Sequence, residues 1–212
     1  MVTGRPAVGR KNADAGKTAG KGGGQTRELI LAVADRLFYE RGFEATSFAD
    51  IAAVAGLSRG NFYYHFKTKD EILDAVIDLR LANTRAMLRD WQAESDSPRD
   101  RIVSFIRILI TNRASIMAHG CPVGTLNNEL AKLEHAHRGR ARQVFTLFRR
   151  WLVGQFEQLG FADAADDLAM HVLMRSQGVA ALATAFRDKA FVAREVDDMC
   201  RWLDAEIARL RH

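Results

Sequence analysis

The sequence predicts an all-α fold in which an N-terminal three-helix helix-turn-helix domain is followed by a larger C-terminal helical domain. Apolar residues recur at spacings of three and four along most of the 212-residue chain, which is the period of an amphipathic helix. Between residues 47 and 66, a glycine separates two short helical patterns, as in a helix-turn-helix. The length allows a domain of about fifty residues and a second of more than a hundred, each able to bury a core.

Residues 1–24 have the composition of a disordered basic leader. They contain seven of the sixteen glycines, five basic residues and one acid, without apolar periodicity, so they cannot bury enough surface to fold. Two interpretations remain open: a basic arm that follows DNA phosphates or enters a minor groove, or a solvated extension. Gly16-Lys17-Thr18 does not indicate a phosphate-binding loop, because position 11 is lysine rather than glycine.

Residues 25–70 predict three helices. The first runs from Gln25 to Arg41 and is stopped by Gly42. The second covers 48–55 and begins with a capping box formed by Ser47 and Asp50. Its Ile51 and Val54 are expected to face inward, and a glycine at 56 turns the chain into the third helix.

The third helix is capped by Ser58 and is the predicted DNA-reading element. Phe62 and Phe66 are four residues apart, so they share the face that anchors the helix in a core. The other side chains are assigned to DNA, although an ordinary core role for Tyr63 is the alternative. We assign Arg59, Gly60 and Asn61 beside the Ser58 cap to base edges, Tyr63 to a thymine methyl group, and Thr46, Tyr64, His65 and Lys69 to phosphates.

From residue 71 onward the pattern is helical almost throughout, and residues 71–212 form the predicted C-terminal domain. Helices are expected at about 72–92, 99–115, 122–134, 138–159, 164–187 and 193–210. Pro122 suits a first helical position, with Cys121 as the N-cap. The apolar face of 138–159 is too wide for a helix with one neighbour, so this helix is predicted to be central.

Charge and cysteine content limit the function classes. Residues 1–69 contain 11 Lys and Arg against 6 Asp and Glu, whereas residues 70–212 contain 20 of each. The net charge of +5 therefore lies in the N-terminal third, which favours a nucleic-acid partner, although the leader supplies most of it. Two cysteines, no signal peptide and no apolar run of about 18 residues predict a cytoplasmic protein without a membrane partner.

The segment RELILAVADRLFYERGFEATSFADIAAVAGLSRGNFYYHFKTKDEIL resembles the DNA-binding domain of the TetR family of transcriptional regulators. The resemblance covers Gln25 to Val76, and its specific parts are RGFEATS, DIA-x-x-AG-x-S and Y-x-H-F-x-x-K. It implies a dimeric, one-component regulator whose C-terminal domain binds a small ligand. The later segment GCPVGTLNNEL is similar to a subgroup with a Gly-Cys-Pro element.

The resemblance also implies that the last two helices pair with their copies in a second subunit. The final helix carries a suitable apolar stripe: Val192, Val196, Met199, Leu203, Ile207 and Leu210. An intrachain core is the alternative. For the ligand we select apolar walls with a few polar anchors, namely Phe105, Leu109, Asn112, Met117, Cys121, Phe148, Trp151, Met174 and Gln177.

The sequence gives little support to thiol sensing, metal binding or catalysis. A thiol at the N-terminus of a helix could act as a sensor, but an inert Cys121 is the simpler interpretation. The histidines at 119, 135, 137 and 171 lack a recognised metal spacing, and nothing indicates a cofactor or an enzyme. We therefore expect a repressor that a small, largely apolar ligand releases from a pseudo-palindromic operator. The alternative is a helical ligand-binding or thiol-sensing protein without specific operator binding.

Overall fold

The structure is a computed structural model that describes residues 19–210, and every regular element in that range is an α-helix. This confirms the all-α prediction. The helices are α1 (Ala19–Arg41), α2 (Phe48–Ala55), α3 (Arg59–His65), α4 (Lys69–Glu94), α5 (Pro98–Thr111), α6 (Arg113–His119), α7 (Pro122–Lys132), α8 (Arg138–Gln158), α9 (Ala165–Phe186) and α10 (Lys189–Arg209). α1 begins six residues before the predicted start, and residues 1–18 of the predicted leader lie outside the described residues.

The helix-turn-helix forms for local reasons. Ser47 and Asp50 make the reciprocal capping box of α2, and Gly56 ends that helix in the left-handed conformation, with φ at 66°. Ile51 and Ala52 are the buried residues of α2. The prediction that Val54 faces inward is wrong, because its side chain is 44% exposed.

The C-terminal domain is built around α8, which packs against α4, α5, α7 and α9. Leu152 and Phe156 on α8 are fully buried, which agrees with the predicted central position. The predicted helix 99–115 is two helices, because the chain bends at Asn112 (φ −100°, ψ 14°) between α5 and α6.

The apolar stripe of α10 is largely an intrachain core. Val192, Val196, Met199 and Leu203 are at most 3% exposed within the single chain, and α10 packs on α5 and α9. The prediction that these four residues form a dimer surface is therefore wrong. Leu210, the last residue of the stripe, is 47% exposed. Helical spacing shows that a face is buried but does not show which neighbour buries it.

Candidate nucleic-acid interface and ligand cavity

The short helix α3 is capped at its start and anchored along one face. The Ser58 hydroxyl accepts a hydrogen bond from the Asn61 amide at 3.4 Å, as the sequence predicts. Phe62 and Phe66 are 1% and 3% exposed and hold the helix against the domain. Because these anchors lie on one side of the helix, its opposite side faces solvent.

The residues assigned to base contacts all lie on the solvent side. Arg59, Gly60 and Asn61 are exposed at the start of α3, and a Cβ added at Gly60 would meet no atom within 4 Å. Tyr63 is 48% exposed and Tyr64 is 77% exposed. Within residues 19–210, this face therefore presents a guanidinium, an amide and two phenols to solvent.

Tyr63 and His65 are held by neighbouring rings. Tyr63 stacks on Phe48 of α2, with ring centroids 5.5 Å apart and an interplanar angle of 14°. His65 is half-buried, and its ring meets that of Tyr64 edge-on at 5.1 Å. Each of the two rings therefore packs against a neighbouring ring.

One predicted phosphate contact, that of Thr46, is wrong, and the side chain of Lys69 has partners within the protein. Thr46 is fully buried, and its hydroxyl donates to the Gly42 carbonyl at 2.7 Å. The half-buried Lys69 donates to the carbonyls of Phe43 and Glu44, and its ammonium lies 4.2 Å from the centroid of the Phe43 ring. Both polar groups stabilise the turn between α1 and α2.

Two other cations lie beside α3. Lys67 is exposed directly after the helix and donates to the Tyr63 carbonyl. Arg27 on α1 is also exposed, and its guanidinium carbon lies 5.0 Å from the centroid of the Phe66 ring. Arg27 was missed because its distance from the recognition helix along the sequence hides its proximity in the fold.

The C-terminal domain contains a cavity of about 480 Å³ that also reaches α1. Its inner wall is apolar and includes Phe105, Leu109, Ile116, Val144, Phe148, Leu173 and Ala180, all buried. Arg36, Asn83 and Asn112 are exposed lining residues, and they mark the polar side of the cavity. An apolar body with a polar edge fits this distribution.

Six of the nine predicted ligand residues line this cavity: Phe105, Leu109, Asn112, Cys121, Phe148 and Gln177. The other three do not. Met174 points away on α9 and is 61% exposed, Trp151 packs against Trp91 with ring centroids 5.6 Å apart, and Met117 packs on the core outside the lining. Their apolar spacing was correct for a helix but indicated the wrong face.

The residues of α1 and α4 that line the cavity were not predicted from the sequence. Tyr39 donates its hydroxyl to the Gly120 carbonyl at 2.8 Å. Arg80 donates from Nε to Asp35 at 2.6 Å and from Nη1 to the Pro122 carbonyl at 2.7 Å. These bonds join α1 and α4 to the start of α7 at the edge of the cavity.

Burial controls the ionisation of Tyr39. Removal from water disfavours the phenolate and, with the negative charge that Cys121 can carry, raises the pKa of Tyr39 to about 12. The hydroxyl therefore stays protonated and remains a donor to Gly120 over the physiological range.

Cys121 is the N-cap residue of α7, as predicted, although its side chain makes no capping bond. The half-buried thiol accepts a hydrogen bond from Gln177 Nε2 at 3.5 Å. Gly124 makes room for this amide, because a Cβ there would lie 2.4 Å from Gln177 Oε1. Cys200, the second free cysteine, has its pKa raised by burial.

A histidine cluster links α4 to the segment between α7 and α8. Potential ligand atoms of Asp70, His135 and His137 lie within 4.8 Å of one another. His135 Nδ1 accepts the His137 amide hydrogen at 3.1 Å, so the proton of a neutral His135 lies on Nε2, which faces Asp70 at 3.4 Å. The two histidines are therefore joined by a hydrogen bond, which leaves His135 without a lone pair directed at a metal.

These features define a helix-turn-helix DNA-binding protein with a ligand-sized cavity in its C-terminal domain. In residues 19–210, no helix has both the length and the apolar content needed to cross a membrane. A family model described as bacterial regulatory proteins of the tetR family matches residues 30–76. A second, described as the C-terminal domain of LmrA/YxaF-like transcriptional regulators, matches residues 98–194.

The relatives agree with both matches. A transcriptional repressor of Mycobacterium tuberculosis, Rv3405c, is 33% identical over 142 residues, which are 66% of this chain and 70% of the relative. A TetR regulator structure from Legionella pneumophila has 27% identity and a TM-score of 0.75, covering 85% of this chain and 96% of its own. The chain belongs to the TetR family, whose members are transcriptional regulators rather than enzymes.

Other relatives are matched over less of their length. A Lactococcus lactis regulator is 31% identical over 57% of this chain, and the match spans 63% of that relative. TtgR of Pseudomonas putida is 46% identical over 26% of each chain. For these relatives, the matched region spans less than two thirds of their own length.

Proposed function

We propose that this chain is a repressor of transcription that a small, largely apolar ligand releases from a pseudo-palindromic operator. The observation that carries the proposal is the unobstructed face of α3, formed by Arg59, Gly60, Asn61, Tyr63 and Tyr64. A guanidinium and an amide at the start of such a helix are the groups that read guanine and adenine edges in a major groove. A reading face that no residue of 19–210 covers favours operator binding over the alternative of a ligand-binding protein without it.

The two family matches support a division of the chain into two functional regions. We assign residues 25–70 to DNA binding and residues 71–212 to ligand binding and dimerisation. α4 begins at Lys69 and is continuous across this boundary, with Ile72, Leu73 and Val76 fully buried. The first DNA-binding helix, α1, packs on the helix that continues into the ligand domain. Because operator DNA lies in the bacterial cytoplasm, we place the protein there.

A homodimer would give the protein two reading helices. Members of the family bind operators as homodimers, and α9 of this chain carries an exposed apolar stripe at intervals of four and eight residues. Met170, Met174, Leu182 and Phe186 are between 43% and 72% exposed, which is costly for a surface that stays in water. We propose that this stripe packs against its copy, with α9 and α10 of each subunit forming a four-helix bundle.

The ligand is inferred from the cavity. A volume of about 480 Å³ lies within the usual range of about 300 to 1,000 Å³ for small-molecule sites. Apolar inner walls favour an apolar body, while Tyr39, Gln177 and Arg80 offer hydrogen-bonding groups at one side. We also propose that Gly120-Cys121-Pro122, which forms the edge of this cavity, is the mark of a subgroup within the family.

Selection of duplexes from a random pool tests the proposal. The dimer should enrich two half-sites related by a dyad, about 10 base pairs apart or a multiple of that distance. Binding without sequence preference that disappears with added salt would instead support the alternative. A thermal-shift screen of small apolar compounds then tests the cavity, because a ligand selective for the folded state raises the melting temperature.

A further inference from the structure

Glu129 reaches from the C-terminal domain into the turn that precedes the helix-turn-helix. Its carboxylate accepts hydrogen bonds from two consecutive backbone amides, those of Phe43 and Glu44, at 2.9 Å each. Gly42 gives the carboxylate room, because a Cβ at that residue would lie 2.9 Å from Glu129 Oε1. Two parallel bonds to an ionised acceptor fix the orientation of the turn as well as its position.

The same turn is held on its other side by Lys69. The ammonium donates to the carbonyls of Phe43 and Glu44 at 3.1 and 3.4 Å. Lys69 of α4 therefore binds the carbonyls of these two residues, whereas Glu129 of α7 binds their amides. The turn leads into α2 and α3 through the buried Thr46. Its orientation therefore sets how the reading helix sits on the rest of the protein.

The helix that carries Glu129 also forms part of the cavity wall. Cys121, Pro122 and Val123 line the cavity at the start of α7, and Glu129 lies about 10 Å further along the same helix, at about 1.5 Å per residue. α7 is bounded by residues with positive φ, Gly120 at 84° and Glu134 at 49°. A helix of this length moves as a unit when one end is displaced.

We propose that Glu129 is the positioning residue through which occupancy of the cavity reaches the DNA-binding domain. A molecule in the cavity shifts the start of α7, and the carboxylate carries that shift to the amides of Phe43 and Glu44. The bonds from Tyr39 to Gly120 and from Arg80 to Pro122 hold the start of α7 against α1 and α4. The inference rests on the proposed function, since it explains how ligand and operator binding are coupled.

A covalent occupant tests this coupling without knowledge of the natural ligand. In a Cys200→Ser background, N-phenylmaleimide adds to the Cys121 thiolate: a C–S bond replaces the ring alkene, and the adjacent carbon takes a proton from water. This reaction places a phenyl group at the cavity wall. Operator affinity is measured, with and without the label, on the duplex recovered by selection.

We expect the label to weaken operator binding at least tenfold in the Cys200→Ser protein, and less than twofold when Glu129→Gln is added. Glutamine has the same size but places an NH₂ donor against one of the two amide donors. Glu129→Asp, which is too short to reach both amides, should behave in the same way. Glu134→Gln removes the same charge just beyond the end of α7 and should retain the full tenfold effect.

Hydrogen exchange gives a second readout. The amides of Phe43 and Glu44 should exchange faster in Glu129→Gln and be unchanged in Glu134→Gln. Equal weakening by the label with and without Glu129→Gln, or no weakening in the Cys200→Ser protein, overturns the inference. Failure of the unlabelled protein to select any duplex would instead remove the proposed function, so the two failures are distinguishable.

Discussion

Arg80 on α4 and Asp35 on α1 form an ion pair at the edge of the cavity, with Nε and Oδ1 2.6 Å apart. The Arg80 side chain is 10% exposed and that of Asp35 is 32% exposed. A second guanidinium nitrogen of Arg80 donates to the Pro122 carbonyl at 2.7 Å. One side chain therefore joins three helices: α1 of the DNA-binding domain, α4, and α7 at the cavity.

Replacing Arg80 with methionine should lower the free energy of unfolding by about 1 to 3 kcal/mol. Loss of one partner of a fully buried pair costs about 3 to 5 kcal/mol, and the partial exposure of Asp35 reduces this figure. Urea denaturation provides the measurement. Arg99→Met is the matched control, because the pair of Arg99 with Asp204 is more exposed, at 37% and 52%, and should be worth less than about 1 kcal/mol. Equal losses in the two variants would show that the Arg80 pair is effectively solvated.

Gly60 should show opposite effects on stability and on operator binding. It is a helical residue with open space around it, so Gly60→Ala should raise the free energy of unfolding by about 0.5 to 1 kcal/mol. The new methyl group would stand on the face proposed to meet the major groove, so operator affinity should fall in a binding assay.

Gly139→Ala is the control for Gly60. Gly139 is the second residue of α8, as Gly60 is of α3, and it also has no atom within 4 Å of an added Cβ. The substitution should stabilise the fold by a similar amount and leave operator affinity unchanged. Unaltered affinity in Gly60→Ala would remove this residue from the DNA contacts.

The high pKa of Tyr39 predicts a loss of stability in alkali. The folded state holds the phenolic proton until a pH of about 12, whereas an unfolded tyrosine releases it at about 10. Because the unfolded state binds fewer protons between these values, the free energy of unfolding should fall as the pH rises from 10 to 12. Tyr39→Phe should lack this part of the decline, as measured by denaturation at several pH values. Parallel curves for the two proteins would contradict the assignment.

Local signals were sufficient to predict the reading helix. The cap at Ser58 and the spacing of Phe62 and Phe66 depend on residues within nine positions of one another, and both features occur in the structure. The role of Thr46 was mispredicted because it depends on the Gly42 carbonyl at the end of α1, and the contacts of Lys69 with carbonyls of the following turn were not predicted. A polar residue near a recognition helix can serve the fold or the DNA, and sequence spacing does not distinguish the two.

The cavity was only partly predictable for a related reason. Spacing identified apolar faces on α5, α8 and α9 but did not indicate which side of each helix faces the space between them, so Met174 was included and Leu173 was missed. Tyr39 and Asp35 were missed because α1 was assigned to DNA binding alone, and Arg80 was missed because no lining residue was selected from the helix predicted at 72–92. Their contribution to the cavity depends on the way α1 and α4 pack against α7, which no local pattern encodes.

The exposed stripe on α9 predicts that charged substitutions there will separate the proposed dimer. Met174 and Phe186 are 61% and 72% exposed, so Met174→Glu and Phe186→Glu should cost a single chain little stability. Around the twofold axis of a dimer, each substitution places two carboxylates in an apolar interface, which disfavours association.

Sedimentation velocity measures the effect of these substitutions directly. The double variant should sediment as a monomer with an unchanged helical circular dichroism spectrum, and it should bind the operator far more weakly because each subunit then reaches only one half-site. Leu133→Glu is the control, since Leu133 is a 41% exposed leucine at the end of α7 and outside this stripe. A dimeric double variant with native operator affinity would show that the subunits associate through another surface.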